Sequence, residues 1–141
     1  MAKVFDEGIL PVTFYADTAL SSYQYHAAAP ASTPDYVILA TGASNPQPVG
    51  VLQDDNAASI GMATSVKTRG FTKAWVAACD VAGNACTIAF GKLLQAGSNG
   101  KFYASGSGLL YQAKALEAIA SGSNIIQIEF LGISACAHDA S

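Results

Sequence analysis

The chain has 141 residues, of which 51% are hydrophobic and 12% charged, with a formal net charge of −3. That charged fraction is about half that of an ordinary soluble domain, and the acidic balance excludes a protein that grips nucleic acid through a basic face. No apolar run approaches the roughly 18–20 residues that cross a bilayer as a helix, and the length accommodates one domain, or one small domain with an appendage.

A chain so poor in charge is expected to hide part of its surface against other chains, because a monomer of this size normally covers itself with Lys, Glu, Asp and Arg. The charges present are unevenly spread. Residues 1–56 carry Asp6, Glu7, Asp17, Asp35, Asp54 and Asp55 against Lys3, whereas residues 57–141 carry Lys67, Arg69, Lys73, Lys92, Lys101 and Lys114 against Asp80, Glu117, Glu129 and Asp139. An acidic first part and a mildly basic second part can attract one another between neighbouring copies. The start, MAKVFDEGILPV, is broken by Asp6 and Glu7 and lacks the order of a secretory signal, so synthesis in the cytosol is expected.

Residues 1–34 contain Pro11, Pro30 and Pro34 and the aromatics Phe5, Phe14, Tyr15, Tyr23 and Tyr25. Proline fixes φ and removes a donor, so this segment is predicted as an extended arm rather than helix or central strand. Disordered tails are poor in aromatics, and ordering such an arm costs about 1–2 kcal/mol per residue. The aromatics therefore suggest anchors against another surface.

From Asp35 the pattern changes to short strands: DYVILATG, PVGVLQ, ATSVKTR, TKAWVAA, ACTIAF, then LLQ and KFYA about the turn AGSNG. The stretch AKALEAIA is readable as one turn of helix or as a strand. IIQIEFL alternates as a strand. The expectation is an all-β fold, a small barrel or sandwich of about eight short strands with at most one short helix, over residues 35–141. The chain is read as having no internal repeat and no long helix.

Motifs for chemistry fail individually. GSNGK has two residues between its glycines and Phe102 after the lysine, where a phosphate loop needs four and then Ser or Thr, so it reads as a hairpin with Asn99-Gly100 at the tip. SGSGLLY lacks a third glycine. Asp54 and Asp55 are adjacent and read as solvated turn residues. His26 and His138 lie near the chain ends, poor scaffolds for a base, and Cys79, Cys86, Cys136 and His138 lack zinc-knuckle spacing. Cys79 and Cys86 flank a loop and are expected as small buried thiols, with a disulfide as the alternative. No catalytic, cofactor or metal site is predicted.

Three phrases carry a resemblance: PVGVLQDD (48–55), GKLLQAGSNGK (91–101) and ALEAIASGSNIIQIEFL (115–131). They resemble the recurring segments of small phage head decoration, or cement, proteins, over roughly Tyr36 to Leu131. Lys92 and Lys114 stand where that family commonly has Asp and Gly. The resemblance implies a non-enzymatic β-barrel that binds the outer surface of a capsid, with the major capsid protein as partner and trimers as the working form, located on the virion and binding neither nucleic acid nor membrane. Residues 1–34 lie outside it. Phe5, Ile9, Phe14, Tyr15, Tyr23 and Tyr25 are the expected contacts of the arm with capsid or adjacent subunits, made by β-augmentation. The alternative is a tail or surface adhesin module that binds glycan or a host receptor through Trp75, Tyr103 or Tyr111.

Overall fold

A computed structural model describes residues 10–42, 47–105 and 111–132. The fold is all-β, as expected, but it holds two closed five-stranded barrels in tandem rather than one. Barrel one contains β1 (Val12–Ala16), β2 (Ala27–Pro30), β3 (Tyr36–Leu39), β4 (Gly50–Leu52) and β5 (Ala63–Lys67). Barrel two contains β6 (Gly70–Asp80), β7 (Leu93–Ala96), β8 (Phe102–Ala104), β9 (Ala113–Ala115) and β10 (Ser123–Phe130). The only helical piece among the described residues is a 3-10 turn, Ser98–Gly100.

The strand order is β1-β3-β2-β4-β5 in the first barrel and β6-β8-β7-β9-β10, read round the closed sheet, in the second. In each, the first and third strands are parallel and every other pair is antiparallel. The register repeats as well. Val12↔Val66 corresponds to Thr72↔Ile128, Ala16↔Val37 to Val76↔Phe102, Ala28↔Leu39 to Leu94↔Ala104, and Leu52↔Val66 to Ala115↔Ile128.

Loop hydrogen bonds follow the same correspondence. Val49 N–H donates to Ala28 O (2.8 Å) and Gln112 N–H to Leu94 O (2.9 Å); Tyr25 N–H donates to Leu52 O and Gly91 N–H to Ala115 O, both at 2.7 Å. Left-handed backbone recurs at matched places: Tyr25 (φ 68) with Gly91 (φ 88), Asp35 (φ 70) with Gly100 (φ 71), and Gly70 (φ 101) with Gly132 (φ 94). The molecule is thus an internal structural repeat, which corrects the reading that there is none. The repeat lives in hydrogen-bond register, where letters leave no trace.

The expected boundary between residues 34 and 35 falls inside barrel one, in the turn joining β2 to β3. Residues 12–16 and 27–30 are strands of a closed barrel rather than an appended arm. The prolines explain why the segment reads otherwise: Pro11 precedes β1, Pro30 is the exposed last residue of β2, and Pro34 sits in the following turn. At strand ends a missing N–H costs little. In β2 the alternation of faces sends Ala28 into the interior of barrel one, while Ala27 and Ala29 face barrel two.

The interior of barrel one contains Ala16, Leu20, Ala28, Val37, Leu52, Ala57 and Val66, with Phe14 and Tyr23 packed at its margin. Barrel two fills most of the matching positions with bulkier groups, Val76, Leu94, Phe102 and Ile128, the reverse holding at Ala115, which matches Leu52. AKALEAIA resolves as strand β9 followed by a turn, in which the Glu117 carboxylate accepts the Gln127 N–H at 2.9 Å. The counterpart in barrel one is Asp54, which accepts the Ser65 N–H (3.1 Å) and the Thr64 hydroxyl (2.9 Å).

Candidate functional site

The structure separates the residues expected to act as contacts. Phe5 and Ile9 lie outside the described residues. Phe14 and Tyr23 are half-buried against the interior of barrel one, so they are part of its core. Tyr25 has a left-handed backbone at the barrel junction, where its carbonyl accepts the Trp75 N–H at 3.0 Å. Only Tyr15 of the four described residues is an exposed aromatic, 42% accessible, with its ring 5.7 Å from that of Tyr36.

The junction between the barrels brings together backbone hydrogen bonds, rings and polar side chains from both units. Barrel one contributes the outer wall of β2 and β4, where Ala27, Ala29 and Val51 are fully buried. Barrel two contributes Trp75, the Asn99-Gly100 turn and Lys101. Gly100 N–H donates to Ala40 O at 2.9 Å, and Gln53 Nε2 donates to Thr72 Oγ1 at 2.9 Å. A Cβ at Gly100 would stand 2.5 Å from Leu39 Cδ1 and 3.0 Å from His26 Cβ, so glycine is required there for close approach as well as for its positive φ.

His26 is buried in this junction, not placed on a loose tail as its position in the sequence suggested. Its ring lies edge-on to Tyr23 (5.2 Å) and 6.0 Å from Trp75, and Nδ1 is 3.2 Å from the Gln24 carbonyl. Burial away from water pushes its pKa below the usual histidine value. Lys101 Nζ sits 5.9 Å from the centre of the Trp75 ring, a cation–π contact. Trp75 therefore serves the junction, which weakens its expected part as an adhesin platform.

The remaining motifs resolve structurally. GSNGK is the β7–β8 hairpin turn, with Asn99 and Gly100 both at positive φ (64° and 71°). Asp54 holds the β4–β5 connection through its two carboxylate oxygens rather than lying in solvent alone. Cys79 and Cys86 are free, half-buried thiols. Cys136 and His138 lie outside the described residues. Among the described residues, no three His, Cys, Asp or Glu side chains converge as metal ligands.

The described residues also expose Leu10, Ile60, Val81 and Phe90, the last at 73%. Phe90 precedes Gly91 and Lys92 in the segment that enters β7, and on the outer wall of β7 and β9 Leu93, Gln95 and Lys114 are half-exposed. These are the positions that correspond to Ala27, Ala29 and Val51 of barrel one.

No protein-family model matches the chain, and no curated protein is significantly similar to it in sequence. Its fold is similar to a solved structure, the N base of the head fiber protein gp8.5 of bacteriophage phi29, at 16% identity and a TM-score of 0.60. The match covers 86% of this chain and 93% of that one. The shared property is the fold.

Proposed function

We propose that this protein is a structural component of a phage head that binds the outside of the capsid and joins neighbouring capsomers, in trimers. The observation that carries the reading is the likeness of fold, over 86% of the chain, to the base of a phage head fiber. The 12% charged fraction supports it, because a surface this poor in charge suits a protein held against other chains. The described residues offer positioned hydrophobic and aromatic surface rather than a reactive pair, consistent with a role in assembly. The partner is the major capsid protein, and the protein resides on the outer face of the virion.

Within this reading, residues 1–9, with Phe5 and Ile9, make the capsid contact. Removing residues 2–9 leaves β1 to β10 intact. That variant should keep its thermal unfolding profile and lose co-sedimentation with undecorated phage heads. Undiminished binding by the truncated protein, or absence of head binding by the full chain, defeats the proposal.

A further inference from the structure

The two barrels meet through a presenting face of barrel two and a receiving face of barrel one, and the repeat gives each barrel both faces. Barrel two presents Trp75, Gly100 and Lys101; the matching residues of barrel one are Tyr15, Asp35 and Tyr36. Barrel one receives through Tyr25, His26, Ala27 and Leu39; the matching residues of barrel two are Gly91, Lys92, Leu93 and Ala104. Inside the chain one presenting face fills one receiving face. Among the described residues nothing covers the Tyr15–Asp35 face at one end or the Lys92–Leu93 face at the other: Tyr15, Asp35 and Lys92 are exposed and Leu93 is half-buried.

We propose that a second copy of this chain docks there, head to tail, through a repetition of the internal junction. The substitutions at matched positions are complementary. Inside the chain, Gly100 makes room for Leu39. Between copies the bulk changes sides, because Asp35 stands for Gly100 and Ala104 for Leu39. His26, whose Cβ lies 3.0 Å from the Cβ position of Gly100, is replaced by the exposed Lys92, so the Asp35 carboxylate meets an ammonium group. The polar pair Gln53–Thr72 is replaced by the apolar pair Leu116 and Val12, the latter 43% exposed.

Charge agrees with this pairing. Asp17 and Asp35 flank the presenting face of barrel one, and Lys92 and Lys114 lie on the receiving face of barrel two, although Glu129 stands across from Lys114 in the sheet. One internal bond has no counterpart: Trp75 N–H donates to Tyr25 O, whereas Tyr15 N–H already donates to Asp35 O at 2.9 Å. The contact between copies is therefore weaker than the internal one and dissociates on dilution. Because the two faces differ, the contact is heterologous and closes as a ring or continues as a filament. A ring of three copies would supply the trimer of the proposed function, and the docking itself needs no capsid.

Sedimentation velocity and native mass spectrometry of the full chain over a wide concentration range test the contact without phage heads. The wild type should assemble. Asp35→Lys and Lys92→Asp should each raise the dissociation constant at least tenfold, and the double exchange should recover most of the loss. Asp35→Asn, which tolerates the left-handed backbone, should weaken assembly without disturbing the fold, as read by circular dichroism. A wild type that stays monomeric at every concentration, or an oligomer indifferent to all four variants, overturns the proposal and leaves capsid binding to be judged separately.

Discussion

Barrel one and barrel two share strand order, register and left-handed turn positions, yet they are filled differently. Matched interior positions read Ala16 and Val76, Ala28 and Leu94, Val37 and Phe102, Leu52 and Ala115, Val66 and Ile128. Barrel one completes its smaller set with Leu20 and the flanking rings of Phe14 and Tyr23. The fold is thus specified by which backbone groups pair and where the chain must turn with positive φ, while volume is supplied by whatever side chains complete the packing. Even the strained positions differ in chemistry. Barrel two uses Gly91 and Gly100 where barrel one holds Tyr25 and Asp35, residues for which positive φ is uncommon.

The largest expected effect comes from attacking the matched core positions. Phe102→Ala should cost about 4 kcal/mol, and Val37→Ala in barrel one about 2 kcal/mol, since the cost follows the volume removed and the cavity left. Urea titration of both variants measures the difference. Equal losses would break the claim that barrel two carries the heavier core.

A smaller effect concerns a polar pair that one barrel has and the other lacks. Ala96 N–H donates to the fully buried Gln112 Oε1 at 3.1 Å. The matching residues in barrel one are Pro30, which has no N–H, and Val49, which has no side-chain acceptor. Gln112→Leu should therefore cost about 2 kcal/mol by leaving a buried donor without a partner. A loss below experimental error would show that water or another acceptor serves Ala96.

The smallest effect is a dependence on pH confined to the junction. His26 is held below its ordinary pKa by burial, so the unfolded chain binds the proton more readily. Its contribution is fully present above about pH 6.5 and is lost as pH falls below that value through the folded-state pKa. The melting temperature should drop between pH 7 and pH 5, and His26→Gln should flatten that drop. Asp80 is also shifted down, by hydrogen bonds from the loop that ends at Asn84, but it acts only below its ordinary value of 3.8, a separate window. An unchanged profile in His26→Gln would detach the junction from the pH response.

Much of barrel two was legible in the sequence. The alternation that predicts the last strand is realised in β10, where Ile126, Ile128 and Phe130 are buried, and the Asn99-Gly100 turn is the hairpin its residues suggest. Barrel one was harder to read. Its strands are three to five residues long, one of them is AAAP, and its prolines sit at strand ends, where they resemble interruptions. Alanine earns its place in β2 through tight packing on both faces, which composition does not reveal.

The repeat itself was invisible for a related reason. GVL of β4 and AKA of β9 occupy the same ladder positions without a shared letter. Of the anchors expected in residues 1–34, Phe14 and Tyr23 became core because the segment closes its own barrel. Tyr15 stayed outside because it alternates to the outer face of β1.

The pairing of first strand with last strand in each barrel has one more consequence. Val12 lies opposite Val66 and Gly70 opposite Phe130, both antiparallel, so the chain comes in and goes out of each barrel at the same end. Only Thr68 and Arg69 separate the last strand of one unit from the first of the next. Such a unit can be added or removed at residues 68–69 like a bead on a string, without rethreading any other strand. Lengthening this architecture by copying a gene segment asks only that the new bead bring its own two faces.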